Sequence, residues 1–200
     1  MLLTEKFKDT QIILASQSPR RKELLAGLGL TFSTVSLDID ETFDRNEFKK
    51  QQITEYLSAK KAKAYLAIQP NELIITSDTT VWVDDESLEK AENREEAYEM
   101  IKKLSGKTHS VYTSVTIRTT EKEVTFSDET HVTFSDLSDE EIYFYIDQYK
   151  PFDKAGAYGV QEWIGYIGVE NMNGSYFNVM GLPTHRLYKE FSPFLQTNCL

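Results

Sequence analysis

The sequence predicts an α/β fold: a mixed β-sheet with flanking helices. Two observations carry it. Early in the chain, short apolar runs alternate with helical patterns, as they do where parallel strands are joined by helical crossovers. Later, two β-rich stretches separated by a charged turn read as an antiparallel hairpin. The chain has 200 residues, 40% hydrophobic and 27% charged. That suits one domain, or one fold in two lobes around a cleft.

The elements follow in order. Gln11 to Ala15 (QIILA) is a short apolar run and reads as a buried strand. Ser18 then suits an N-cap and Pro19 the first helical position. The helix they open runs to about Leu28, stopped by Gly27 and Gly29. Thr31 to Val35 reads as a second strand and Asp38 to Asn46 as a polar loop. Lys49 to Gln69 is the longest helical pattern, ending before Pro70. Its apolar stripe is Ile53, Leu57, Ala64 and Ile68, with Lys60 inside the stripe and Lys61 at its edge.

Leu73 to Val83 is strand-like, with polar residues in the middle. Arg94 to Leu104 is a helix stopped at Gly106. The hairpin strands are His109 to Thr119 and Val124 to Phe134, around Glu121-Lys122-Glu123. Ser138 with Glu141 three residues on forms a capping box for a helix to Tyr149. Pro151 to Gly168 reads as glycine-rich loop and strand, and a last helix starts near Pro183. Loop composition puts the lobe joints near 35–48 and 150–157.

Charge and cysteine content narrow the function. Lys plus Arg is 22 and Asp plus Glu is 32, a net charge of −10. That opposes general binding to nucleic acid, which needs a basic face, and docking on anionic lipid. The one cysteine, Cys199, allows no internal disulfide and no cysteine-based zinc site. The N-terminus lacks the pattern of a signal peptide, and no apolar run approaches the roughly 20 residues of a membrane span. A reducing cytoplasm is the expected compartment.

Five constellations could carry chemistry. Arg20, Arg21 and Lys22 occupy a first helical turn, where the partial positive charge of the helix end favours acids. A bound phosphate would remove that conflict, with the arginines gripping its oxygens. A solvent-facing turn partnered by Glu23 is the other reading. Asp78 sits among Ile74, Thr76, Thr80 and Trp82 on one strand face. It is a candidate metal ligand or general base, or simply an acid that ends the strand on nearby backbone. Lys60 and Lys61 either snorkel or offer an ammonium to phosphate.

The acidic loop Asp38-Ile-Asp40-Glu41 either binds Mg²⁺ or is solvated. Asp153 to Gln161 is either a close backbone approach to a ligand, with Gln161 facing a base edge, or a tight turn. The three histidines, His109, His131 and His185, lack zinc-ligand spacing and read as structural or surface residues. The aromatic residues Tyr143, Phe144, Tyr145 and Tyr149 read as packing.

Taken in order, these segments resemble the Maf family of nucleoside triphosphate pyrophosphatases. The matching stretches are Leu14 to Leu25 (LASQSPRRKELL), Lys61-Ala-Lys-Ala64, Ser77-Asp-Thr79, Leu88-Glu-Lys90, Leu104-Ser-Gly106 with His109-Ser-Val111, Asp153 to Gln161, and Gly174-Ser175 through Gly181-Leu-Pro183. They span nearly the whole chain.

The resemblance implies a Maf/ITPase-like mixed sheet in two lobes around a nucleotide cleft. It implies hydrolysis of a nucleoside triphosphate to monophosphate and diphosphate with a divalent cation, Mg²⁺ or Mn²⁺. Position by position, Ser16, Arg20, Arg21, Lys61 and Lys90 match substrate-binding residues. Asp78 matches the proton acceptor, and Glu41 with Asp78 the acids that would hold metal. Arg20, Thr79 and Gln161 match the positions that separate subfamilies, and point to the branch acting on dTTP and UTP. A nucleotide-binding regulator of septum formation with little turnover is an alternative, as is a 7-methyl-GTP or house-cleaning pyrophosphatase. The expected partner is the nucleotide, with no nucleic acid polymer and no membrane; a homodimer is left open. The chain departs from the family where Thr76-Ser77 replaces Gly-Ala, Ala91 replaces Pro, and Glu162 followed by Trp163 replaces Gly.

Overall fold

A computed structural model describes residues 2–195. Cys199 lies outside the described residues. Among them, a sheet of seven strands has the order β2-β1-β3-β5-β6-β7, with β4 paired to β3 beside that path. The elements are α1 (Leu3–Lys6), β1 (Gln11–Leu14), α2 (Pro19–Gly27), β2 (Phe32–Thr34), α3 (Gln51–Ala64), β3 (Glu72–Val83), β4 (Glu86–Leu88), α4 (Arg94–Leu104), β5 (Thr108–Arg118), β6 (Glu123–Phe134), α5 (Asp139–Tyr149), α6 (Trp163–Gly168), β7 (Val169–Asn173), α7 (Tyr176–Val179) and α8 (Thr184–Glu190). The sheet is mixed as expected: β1 runs parallel to β2 and β3, whereas β3 with β4 and β6 with β7 are antiparallel.

The chain divides into two compact units. The first comprises residues 1–78, 113–128 and 181–200, and the second 79–112 and 129–180. In the first unit, Ile12, Ile13 and Leu14 of β1 are all buried, as befits a strand between two parallel neighbours. The α3 helix lies over this part of the sheet through hydroxyls as well as methyls. Thr54 Oγ1 meets Ser114 Oγ at 2.6 Å, Thr76 Oγ1 donates to the Ser58 carbonyl at 2.7 Å, and Thr116 Oγ1 donates to Ser58 Oγ at 3.1 Å. Each pair is buried, so sliding the helix would leave several polar groups unpaired at once.

In the second unit, α4 and α5 are joined by polar and aromatic contacts. Arg94 makes two hydrogen bonds to Asp147, at 2.7 and 2.9 Å, and the Tyr98 and Tyr143 rings stack. Asn93 caps α4 by accepting from Glu96 N, and Ser138 with Glu141 completes the anticipated box on α5. Tyr145 is fully buried, and Phe144 rests edge-on against Trp163.

The structure corrects two expectations and adds one strand. The helix read as Lys49 to Gln69 stops at Ala64. There the Arg118 guanidinium caps the Ala62 carbonyl at 2.8 Å and reaches that of Tyr65 at 3.3 Å. Tyr65 and Ile68 leave the helix and pack on Ile13, Ala15 and Ile74. The buried face is therefore Ile53, Thr54, Leu57, Ser58 and Ala62, not a stripe through Ala64.

The stretch from Pro151 to Gly168 holds no regular strand. It ends in α6, and β7 follows from Val169. Gly165 is the reason: a Cβ there would lie 1.8 Å from the Val160 carbonyl oxygen, so only glycine lets the helix fold back this closely. Finally, β3 continues into a hairpin with β4 that the sequence pattern did not announce. Asp84 and Asp85 both have positive φ, +49° and +59°, which matches the two-residue turns that join antiparallel strands.

Candidate active site

The first unit gathers six of the predicted site residues. Ser18 caps α2 by accepting from Arg21 N at 3.4 Å, with Pro19 in the first turn and no acid there. Ser16 Oγ, just past β1, accepts from Ser18 N at 3.2 Å. The exit from β1 is thus a hydroxyl-rich turn that feeds Arg20 and Arg21 into the start of the helix. Arg21 is anchored by its Nε, which donates to the Gly181 carbonyl at 2.9 Å. The same carbonyl accepts from Ser77 Oγ at 3.0 Å, which ties the turn before α8 to the residue beside Asp78. Gly181 takes φ +105°, a conformation that favours glycine. Its carbonyl was missed as a site element, although Gly181-Leu-Pro183 stood among the matching motifs.

Asp78 is buried on β3, and its Oδ1 accepts from Lys61 Nζ at 2.6 Å. Lys61 Nζ also lies 3.0 Å from Glu41 Oε1. Lys61 is on the sheet-facing side of α3, not at the stripe's edge, because Ser58 and Leu57 one turn earlier are locked against the sheet. Lys60 snorkels, donating to the Thr42 carbonyl at 3.3 Å and lying over the Tyr56 ring. Within the acidic loop only Glu41 turns to this centre. Asp40 folds onto Thr42, accepting from its N at 2.9 Å and its Oγ1 at 2.7 Å.

The electrostatics are unusual for a structural ion pair. Burial raises the Asp78 carboxyl above the ordinary carboxylate range; the Lys61 contact and the Arg21 charge pull it down, and Glu41 pushes it up. Burial likewise lowers Arg21, against the attraction of Asp78 and with the repulsion of Arg20. Taking such charges from water costs more than their attraction returns unless the geometry is excellent, so the arrangement is poor value as a stabiliser. Perturbed acids and cations held together are what reactive sites require. Two carboxylates facing one ammonium are also a donor set that suits a small hard cation, which takes one or two carboxylates plus phosphate oxygens. Among the described residues no group of three or more His, Cys, Asp and Glu side chains is placed to hold a metal.

Thr79, Lys90 and Gln161 belong to the second unit. Lys90 is exposed, and its backbone bridges to Ala155. Gln161 is partly buried, with Nε2 donating to Glu162 Oε1 at 3.5 Å and Oε1 buried without a hydrogen-bond partner. Of the histidines, His109 is buried against Tyr158, as a structural residue should be, and His131 and His185 are exposed.

The comparisons with known proteins agree with the resemblance. The family model described as Maf-like protein matches residues 11–194. A dTTP/UTP pyrophosphatase of Bacteroides thetaiotaomicron is 54% identical over 182 residues, covering 90% of this chain and 94% of that protein. One from Phocaeicola vulgatus is 52% identical over 190 residues, 94% of this chain and 98% of that one. One from Parabacteroides distasonis is 50% identical over 194 residues, 96% and 100% respectively. Among solved structures, the Staphylococcus aureus Ham1 protein has a TM-score of 0.47 at 15% identity, covering 90% of this chain and 100% of that one.

Proposed function

The chain belongs to the Maf family, and from that premise we propose that it is a nucleoside triphosphate pyrophosphatase, hydrolysing dTTP and UTP to the monophosphate and diphosphate. The observation that carries the chemistry is the buried Asp78 carboxylate, held at 2.6 Å by Lys61 and facing the charge of Arg21.

Arg20, Arg21 and Ser16, at the start of α2, bind and orient the triphosphate, the guanidiniums matching its oxygens two at a time. Lys61 neutralises charge that builds up as the phosphoryl group transfers. Asp78, made more basic by burial, takes a proton from water as the water oxygen bonds to the α-phosphorus. The bond from that phosphorus to the bridging oxygen breaks, and diphosphate leaves with the electron pair. Glu41 and Asp78 would hold a divalent cation, Mg²⁺ or Mn²⁺, whose chemistry is to neutralise phosphate oxygens. Lys90 is assigned to substrate binding, and Thr79, Gln161 and Arg20 to the choice of base.

A cytoplasmic location fits such a substrate. No helix among the described residues is long and apolar enough to cross a membrane. The experiment is direct: incubate the protein with each common triphosphate and Mg²⁺, and measure monophosphate and diphosphate. Equimolar release of both from dTTP and UTP is the expected result. Release of inorganic phosphate with a nucleoside diphosphate, or no release, refutes it.

A further inference from the structure

The Glu162 carboxylate is the hub of a built network in the second unit. Oε2 accepts a hydrogen bond from the Tyr145 hydroxyl. Oε1 lies 3.1 Å from Lys154 Nζ, an ammonium that is itself buried and also meets Asp153 Oδ1 at 2.7 Å. The Tyr145 hydroxyl in turn accepts from Gly159 N at 2.9 Å. Gly159 leaves just enough room: a Cβ there would come within 2.7 Å of the Glu162 carboxyl carbon and 2.9 Å of Gln161 Nε2. The one neighbour of this hub that remains unsatisfied is Gln161, whose buried Oε1 has no hydrogen-bond partner among the described residues.

A carboxylate paired with an ammonium can only accept. Gln161 must therefore turn its NH₂ toward Glu162, as the 3.5 Å contact from Nε2 to Oε1 has it. Its Oε1 then points the other way, as an acceptor in need of a donor. Were Glu162 glycine, nothing in this network would fix which end of the amide pointed which way.

We propose that Glu162 is a positioning residue for base selection: it locks the Gln161 amide with Oε1 presented, so the site takes bases that offer a ring N–H. This rests on Gln161 reading the base, as in the function proposed above. Uracil and thymine carry such a donor at N3. Cytosine carries an acceptor at N3 and would leave two acceptors facing each other.

The test compares UTP with CTP, which differ only on that edge, in the wild-type protein and in Glu162→Met. A methionine at 162 fills similar space but offers no acceptor, so nothing holds the Gln161 NH₂ and the amide is free to flip, while Lys154 keeps Asp153 at 2.7 Å. The expected result is a preference for UTP in kcat/KM that falls by about tenfold in Glu162→Met, about what one mismatched hydrogen bond costs. Glu162→Gln, whose carbonyl oxygen must stay against the Lys154 ammonium and so still faces Gln161, should keep most of the preference. Glu162→Leu, which also removes the acceptor, covers the case in which Glu162→Met fails to fold.

The same ratio is read by calorimetry with non-hydrolysable UTP and CTP analogues. Binding therefore reports on the lock even where turnover is absent, and absent turnover alone refutes the pyrophosphatase reading. An unchanged ratio in a folded Glu162→Met, or in folded Glu162→Leu where that variant alone folds, overturns the proposal. So does a wild-type protein with no preference between the two bases in either assay. A merely structural role for Glu162 would lower stability and leave the ratio where it was.

Discussion

Replacing His109 with glutamine should flatten the acid side of the protein's stability profile. The imidazole is 2% exposed, with Nε2 2.7 Å from the Tyr158 hydroxyl and the ring edge-on to Phe134 and Tyr158. Its Nδ1 is buried with no partner, so nothing there welcomes a second proton. Burial pushes its pKa from the ordinary 6.5 down to about 4. The sign follows from which state binds the proton first. As pH falls below 6.5 the unfolded chain takes it up, while the folded protein resists until about 4. Stability is therefore fully present above 6.5, is lost on acidification, and stops falling on this account near 4. Each pH unit in that window is worth about 1.36 kcal/mol, which gives on the order of 3 kcal/mol in full and roughly 2 kcal/mol by about pH 5. The assay is urea unfolding of wild type and His109→Gln at about pH 8 and about pH 5. The variant loses ring contacts at both values, and that loss cancels in the comparison. Wild type should lose roughly 2 kcal/mol more than the variant between the two conditions. Parallel losses would refute a neutral, buried imidazole as the source.

Five further outcomes are expected. Asp78→Asn should lower kcat by at least about a hundredfold with folding retained, because the amide is isosteric and Glu41 still pairs Lys61 at 3.0 Å; steady-state kinetics with circular dichroism checks both. On the mechanism proposed above Asp78 acts as base only when ionised, and its pKa is raised, so activity should climb with pH through a value above the ordinary carboxylate range. Lys61→Met removes the strongest charge holding that value down, so the acid limb of the pH–rate profile should move to higher pH. Arg21→Lys loses the planar fork and the 2.9 Å contact to the Gly181 carbonyl, and should raise KM for the triphosphate about tenfold, read from initial rates. Thr54→Val leaves Ser114 Oγ buried without its 2.6 Å partner and should cost about 1–3 kcal/mol in thermal or denaturant unfolding.

Local rules were enough to locate most elements. The Ser18-Pro19 start, the Ser138–Glu141 box and the apolar QIIL run are short-range signals, satisfied within one turn or one strand, so they can be read without knowing the fold. The unusual cations at the start of α2 could likewise be singled out, because they break a rule that is itself local. What the pattern could not reveal depends on partners distant in the chain. The α3 helix ends at Ala64 because Arg118, more than fifty residues away, takes its last carbonyls. Lys61, not Lys60, reaches Asp78 because hydroxyls from β3 and β5 fix the helix against the sheet. Sequence alone shows Glu162 only as a charge next to Gln161; Lys154 and Tyr145, neither its chain neighbour, make it an anchored acceptor. Residue identity thus set which chemistry was available, since hydroxyl, guanidinium and carboxylate declare themselves in one dimension. Packing alone decided which of these groups lost water and met each other, and that is where their reactivity is set.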